Sequence, residues 1–481
     1  METNEFARIR PGSLLNASVC AWTLVAVLGA CTSSRSLDFE TRSPVAFEHA
    51  SDVAAQWPSE DWYHGFDSAE LDELVALAKG NNLDLTASVA RIRQADARAR
   101  AAGAAILPQI DAGGNLTHIA GGARGQTASE TDWSALLSAS YEIDFWGKNR
   151  DAAHSTQFAA IAGQADHDAL AITTLTSVAN GYFLVLSLRE RLALAEQNLR
   201  SVRDVLEVIE ARFNAGAAAA ADLAAQRAAV ANAELALPAL RQQEVEARGA
   251  LALLVGRAPE GFDVRGQPLD SVLEPGVTPG LPSALLLRRP DVLAAEMNLR
   301  AANADLAAAR AALFPSLTLT GSGGLQNPAV QAAVLTLEGT GYSFSLGASL
   351  VQTIFDGGRR RSVRDEAQAK EQELLAVYRL AILNSLLDVE NALSALQQLD
   401  AQQTAQTQNV TQSELAYEGA RLRFRAGSED YLRVLDAQRT LFAAREQLSQ
   451  YRLTRLQTVV GLCKALGGGW QPQAPSPSLP P

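Results

Sequence analysis

The sequence repeats itself after about 210 residues, and this duplication constrains the fold more than any other feature. RFNAG begins at residue 212, and RFRAG begins 211 residues later, at residue 423; each is followed by a run that ends in Ala-Gln-Arg. Upstream, LPQI (107–110) corresponds to FPSL (314–317) at a spacing of 207. A single period of this length predicts two similar halves and excludes a solenoid of small units.

Both halves have the same pattern: a helix, two strands, a long helix, a tight turn and a second long helix. The predicted boundaries are a first repeat over 61–256 (strands about 109–145, long helices about 151–254), a connector over 257–289, and a second repeat over 290–466 (strands about 316–355, long helices about 361–466). Pro and Gly are frequent in the connector, as in irregular linking segments. We expect an extended linker over 31–60 and a disordered tail over 467–481.

The candidate strands alternate apolar and polar residues. In 131–145, Trp133, Leu137 and Tyr141 share one face, whereas Ser134 and Ser138 share the other. Strands of this length and period are typical of tilted membrane strands, although a soluble half-buried sheet gives the same alternation. No run of 18 apolar residues follows residue 30, so we expect no transmembrane helix, and any crossing of a membrane must use strands.

Two segments without proline, Asp151–Phe213 and Arg361–Phe424, predict unusually long helices. Each would extend about 90 Å, and each ends at an RF-x-A-G element. Return helices are predicted over Asp222–Leu254, where Pro238 would cause a kink, and over Ser428–Leu466. Their apolar stripes favour coiled-coil packing.

The N-terminus has the three parts of a secretory signal. Arg8 and Arg10 precede the apolar stretch Leu14–Ala30, so we predict a signal peptide over 1–30. Its end, Leu28-Gly29-Ala30-Cys31, resembles the bacterial lipobox, and the resemblance implies lipid attachment at Cys31 and, with Thr32 next, sorting to the outer membrane. Several acyl chains on one residue give stable anchoring.

The cysteines fit this reading. Cys20 would leave with the signal peptide and Cys31 would be lipidated, so Cys463 alone would remain and no disulfide could form within the chain. Cys463 lies in an apolar helical run, which favours a buried and unreactive thiol.

Charge and motifs exclude several function classes. A formal net charge of −12 argues against nucleic acid as a partner, since phosphate binding needs a basic face. The five histidines form no HExxH motif, and neither a Walker A loop nor a Ser/His/Asp set is recognisable. We therefore expect no enzyme activity, no cofactor and no metal site.

Four strands per chain are too few for a closed barrel. Unpaired N–H and C=O groups at an open sheet edge are costly in lipid, so other copies of the chain must complete the sheet. Two copies would supply eight strands and three would supply twelve, and the strands alone do not decide between them.

Several segments resemble one family throughout the region from about 57 to 470. They are DWYHGFDSAELDELVALAKGNNLDL, GLPSALLLRRPDVLAAE, AANADLAAARAALFPSLTLTGSGG, RFRAGSEDYLRVLDAQRTLFAAREQL and CKALGGGW. The chain resembles the TolC-type outer-membrane efflux proteins, in their OprM/NodT lipoprotein branch.

The resemblance implies an α+β membrane protein: a homotrimer with a twelve-stranded barrel in the outer membrane, continued by a long α-helical barrel in the periplasm. It also implies a passive exit duct for drugs and other small toxic compounds, with a periplasmic adaptor and an inner-membrane pump as partners. The alternatives are the duct of a type I protein-secretion or heavy-metal system, and a periplasmic coiled-coil lipoprotein scaffold without a pore.

The RF-x-A-G elements are the candidate tips of the duct. Gly216 and Gly427 are expected to end their helices in the left-handed conformation. By resemblance, Arg212 and Gly216 in the first tip and Arg423 and Gly427 in the second would contact the adaptor.

The resemblance also implies a periplasmic gate after the second tip. Three copies of Asp436 would converge on the axis as an acidic ring that favours cations. Arg433 replaces a second Asp or a neutral residue of many relatives, and its spacing from Asp430 and Asp436 allows ion pairs along the helix. Asp222 has a matching place after the first tip.

Overall fold

The computed structural model describes residues 46–49, 56–123, 126–280, 282–330 and 341–471. The predicted signal peptide, Cys31, most of the linker and residues 472–481 lie outside these ranges. Of the predicted tail, residues 467–471 are described, and the Trp470 indole donates a hydrogen bond of 2.9 Å to the carboxylate of Asp168.

The elements follow the duplicated order. The main ones are α1 (Ala69–Asn81), α2 (Leu83–Ala104), β1 (Gln109–Ala123), β2 (Gln126–Ile143), α3 (Lys148–Asn214), α4 (Ala220–Leu254), α5 (Pro290–Ala311), β3 (Ser316–Val330), β4 (Gly341–Val351), α6 (Arg359–Arg425) and α7 (Tyr431–Ala465). Single helical turns occur at Trp62–Phe66, Leu269–Ser271 and Pro282–Leu285. The first predicted helix is divided at Asn82, whose side-chain oxygen accepts a hydrogen bond from the Leu85 amide and starts α2.

The four strands form one antiparallel sheet in the order β1-β2-β3-β4. Its register aligns the apolar positions: Ala112, Leu137, Gly323 and Phe344 are successive cross-strand partners on one face. In the single chain this face is exposed, and Phe344 retains 77% of its accessible surface. An apolar face open to the surroundings is typical of a sheet that contacts lipid.

The helical part repeats with little change between the halves. α3 and α6 have 67 residues each, and α4 and α7 have 35 each. A helix of 67 residues is about 100 Å long, close to the predicted length. Pro238 lies inside α4 without ending it.

The largest core cluster joins both halves, at the middle of α3 and near the C-terminal ends of α4 and α7. It includes Tyr182 and Phe183 of α3, Leu251 of α4 and Val460 of α7, each almost fully buried. This packing explains one departure from the prediction: α3 contains an 18-residue window, of mean hydropathy 1.6, that is apolar enough to cross a membrane by length and composition. Half of that window is buried inside the chain, so core packing accounts for its apolar character.

Candidate functional site

Both helix reversals are built by the same backbone hydrogen bonds. In the first, the Gly216 amide donates to the Phe213 carbonyl at 2.9 Å; in the second, the Gly427 amide donates to the Phe424 carbonyl at 3.1 Å. The φ angles of Gly216 and Gly427 are +72° and +75°, in the left-handed region that favours glycine. A Cβ added to either glycine would meet no atom within 4 Å, so both turns face open space.

Aspartates start both return helices, by different hydrogen bonds. The Asp222 carboxylate accepts from the Ala219 amide at 3.2 Å. The Asp430 carboxylate accepts from the Leu432 amide at the same distance. These bonds satisfy amide groups that a helix N-terminus leaves unpaired, so both side chains have a structural role whatever else they do.

The two tip arginines have different partners. Arg423 forms an ion pair with Glu429 in its own turn, at 2.9 Å. Arg212 instead reaches the other hairpin: its guanidinium donates to the Phe424 carbonyl at 3.1 Å and lies 4.1 Å from the centroid of the Phe424 ring. Arg212 therefore joins the two tips.

A second bond between the hairpins lies just inside the tips. The hydroxyl of Tyr431 donates to the side-chain oxygen of Gln226, and the Gln226 amide nitrogen donates to the Val202 carbonyl. Gln226 is fully buried, and burial raises the pKa of Tyr431 to about 12. Sequence reasoning did not select these residues, although Gln226 lies in the Ala-Gln-Arg run that both halves share.

The corresponding glutamine of the second half has a different environment. Gln438 is 4% exposed, and neither its side-chain nitrogen nor its oxygen has a hydrogen-bond partner among the described residues. It lines two clefts of about 240 and 220 Å³, each also lined by Asn198 and Phe442. The two equivalent glutamines therefore differ in their hydrogen bonding: Gln226 has two partners, and Gln438 has none among the described residues.

Of the four predicted gate residues, Arg433 and Asp436 lie on α7, Asp430 immediately precedes it, and Asp222 lies near the start of α4. Arg433 and Asp436 are both exposed, and neither belongs to an ion pair with any other described residue. The buried face of α7 carries Tyr431, Val434 and Leu435. The Asp430 carboxylate accepts a hydrogen bond from the Leu432 amide and, among the described residues, forms no ion pair with Arg433.

One group in the described residues has the donors for a metal ion: Glu48, His49 and Glu390. Each oxygen of the Glu390 carboxylate accepts a hydrogen bond from a backbone amide, one from Glu48 at 3.2 Å and the other from His49 at 3.1 Å. These hydrogen bonds hold the segment 46–49 against α6, which accounts for the closeness of the three side chains without a metal ion.

Comparison with known proteins places this geometry in a family. The family described as "Outer membrane efflux protein" matches residues 74–257 and 281–468, one match in each half. The pyoverdine export outer membrane protein OpmQ of Pseudomonas aeruginosa is 41% identical over 476 residues, which are 95% of this chain and 98% of OpmQ.

Solved structures agree. The outer-membrane channel OprN aligns with a TM-score of 0.80 at 26% identity, covering 90% of this chain and 99% of OprN. CusC, whose structures are described as showing transmembrane channel formation, aligns with a TM-score of 0.78 at 27% identity over 90% of this chain and 100% of CusC. The predicted fold class, the efflux function and the outer-membrane location are confirmed. The chain belongs to the outer membrane efflux protein family.

Proposed function

We propose that this protein is the passive exit duct of a tripartite pump, assembled as a homotrimer and driven by an inner-membrane pump through a periplasmic adaptor. It performs no catalytic step, so the driving energy comes from the partner in the inner membrane. The observation that carries the proposal is the open four-stranded sheet of the single chain, combined with membership of an efflux family.

The sheet supports assembly from several copies. β1 and β4 are its edges, and they run antiparallel to each other because the four strands alternate in direction. The β4 edge of one copy can therefore pair with the β1 edge of the next in the same antiparallel pattern. Three copies would close a twelve-stranded barrel with no exposed edge, and more strands than eight leave a lumen.

The tips support an adaptor contact. Gly216 and Gly427 present backbone to open space at the ends of two long hairpins, beside Arg212 and Arg423. We propose that these four residues contact the adaptor. We also propose that lipid on Cys31 anchors each chain in the outer membrane.

The gate is proposed on α7. Arg433 and Asp436 are exposed and form no ion pair with any residue that the structure describes, so they are available to opposite charges on neighbouring copies. In the closed duct Arg433 of one copy would pair with Asp436 of the next, while Asp430 and Asp222 hold the starts of the return helices. Asp436→Ala removes this pairing and is expected to raise single-channel conductance in lipid bilayers.

For the substrate, we propose a small molecule exported from the periplasm. The 41% identity to a pyoverdine export protein over nearly the whole chain favours a compound similar to pyoverdine. Export of a metal cation is the second candidate, because the cation efflux protein CusC of Escherichia coli K12 is 29% identical over 87% of this chain.

Two measurements test the duct. Purified protein in planar bilayers should give discrete conductance steps, and deletion of the gene should sensitise cells to exported compounds, with recovery on complementation. A protein that forms no conducting species and whose loss changes no efflux would overturn the proposal in favour of a scaffold without a pore.

A further inference from the structure

The two hairpins of the sheet have the same register. In the first hairpin Gln109 lies opposite Ser140, and in the second Ser316 lies opposite Val351. Ser316 follows Gln109 by 207 residues and Val351 follows Ser140 by 211, which are the two spacings of the duplication. β1 and β3 are therefore equivalent strands, as are β2 and β4, and these spacings identify their equivalent residues.

The contact between the two hairpins is made by β2 and β3. It joins the last strand of the first half to the first strand of the second half. β4 is likewise the last strand of a half and β1 the first strand of a half, but these two are the edges of the sheet. An equivalent contact would therefore form between β4 of one copy and β1 of the next.

The exposure of equivalent residues indicates that a neighbour is missing at both edges. Ile143 and Leu317 lie opposite each other across β2 and β3, and both are half-buried. Their equivalents are Ile354 and Ile110, which retain 90% and 66% of their accessible surface. Apolar side chains that are partly covered at the contact inside the chain are thus open at its two edges.

We propose that β4 of one copy pairs with β1 of the next in the register that β2 and β3 use within one chain. This inference rests on the proposed homotrimeric duct and specifies the contact that closes it. Since Ser138 lies opposite Ser322, the same spacings place Ser349 opposite Asn115 of the next copy. Six equivalent hairpins from three copies then form one wall without a free strand edge.

This register keeps the two faces of the sheet separate. Ser349 and Asn115 both lie on the polar face, and Leu350 lies opposite Gly114 of the next copy on the apolar face. A register shifted by one residue would place Leu350 against Asn115 and mix the two faces. Alternation therefore excludes a shift by one residue, and a shift by two residues is decided by experiment.

The test is disulfide cross-linking of the whole protein in the outer membrane. Two double variants represent the proposed register: Ser349→Cys/Asn115→Cys on the polar face and Leu350→Cys/Gly114→Cys on the apolar face. Directly opposite residues of antiparallel strands have Cα atoms about 4.5–5.5 Å apart, within the range of a disulfide. A Cβ added to Gly114 would meet its nearest atom at 3.8 Å, an ordinary van der Waals contact.

A cross-link in these variants reports a contact between copies. Within one chain β1 and β4 are separated by three strand spacings, about 14 Å, which a disulfide does not span. Oxidation should therefore yield covalent dimers and trimers on non-reducing gels. The two pairs lie on opposite faces, so one is a hydrogen-bonded pair and the other is not, and both kinds of geometry are sampled.

Ser349→Cys/Gly113→Cys and Ser349→Cys/Thr117→Cys are the matched controls, because they represent registers shifted by two residues on the same polar face. Diagonal neighbours lie about 7–8 Å apart, so covalent trimer should be about fivefold or more below that of the better proposed pair. Native electrophoresis under reducing conditions measures how much trimer each variant forms.

Stronger cross-linking in either control than in both proposed pairs would overturn the register, as would no cross-linking in any variant that forms trimers. In both cases a conducting wild-type trimer would leave the duct standing. A wild-type protein with neither trimers nor conductance would overturn the duct and this inference together.

Discussion

The guanidinium of Arg212 lies 4.1 Å from the centroid of the Phe424 ring and donates a 3.1 Å hydrogen bond to the Phe424 carbonyl. Arg212 lies in the last turn of α3, and Phe424 lies in the last turn of α6. The contact therefore couples the tips of the two hairpins, and a separation of the tips would break it.

Arg212→Ala should loosen this coupling. The substitution removes a cation–π contact of about 0.5–1 kcal/mol and a hydrogen bond of about 1 kcal/mol. We expect faster amide hydrogen exchange around residues 420–432 and a higher single-channel conductance. Arg227→Ala is the control, because it breaks an exposed ion pair within the first hairpin only. Equal exchange and conductance in the two variants would contradict a coupling role for Arg212.

The two equivalent glutamines should respond in opposite ways to the same substitution. Gln226→Leu leaves the Tyr431 hydroxyl and the Val202 carbonyl without their partner, at a cost of about 1–3 kcal/mol for each unpaired group. Gln438→Leu removes an amide that has no partner among the described residues, so it should be neutral or stabilising. The thermal unfolding midpoints of the two purified variants provide the comparison. A similar loss in both would show that Gln438 has a partner of its own in the assembled protein.

Gly427→Trp should abolish drug efflux without preventing assembly, because it places a large side chain on the proposed adaptor surface. The positive φ of Gly427 adds backbone strain, which must be separated from the effect of size. Gly427→Asn supplies that control, since Asn tolerates the left-handed region better than other side chains. We expect the Asn variant to retain efflux. Normal efflux by the Trp variant, with a full amount of trimer in the membrane, would exclude the tip as a contact surface.

Cys463 should be unreactive in the folded protein. It is fully buried, and burial raises the pKa of its thiol to about 12, so the reactive thiolate is scarce at neutral pH. Maleimide should label no thiol in the native mature protein and one after denaturation, with mass spectrometry locating the label at Cys463. Two labelled thiols after denaturation, with Cys31 as the second, would contradict lipid attachment at Cys31.

Much of the fold could be predicted because its signals are local or repeated. The glycine turns, the length of helices without proline and the alternating strands each follow from a few neighbouring residues, and the duplication reports the same unit twice. The predicted helix Asp151–Phe213 differs from α3 by three residues at one end and one at the other. The apolar character of the window inside α3 is a property of the sequence, but its burial in the core depends on residues far away along the chain.

In the candidate site, too, some features follow from the local sequence and others depend on the tertiary structure. The sequence by itself determined which residues stand at the two helix reversals, because glycine is needed at a positive φ and aspartate favours a helix start. Only the tertiary structure decided that Arg212 contacts Phe424 and that Tyr431 contacts Gln226, since these partners are more than 200 residues apart. The tertiary structure also showed that Arg433 forms no ion pair with any described residue, although its spacing from Asp436 allows one. A spacing along a helix permits such a contact, but the direction of the two side chains decides whether it forms.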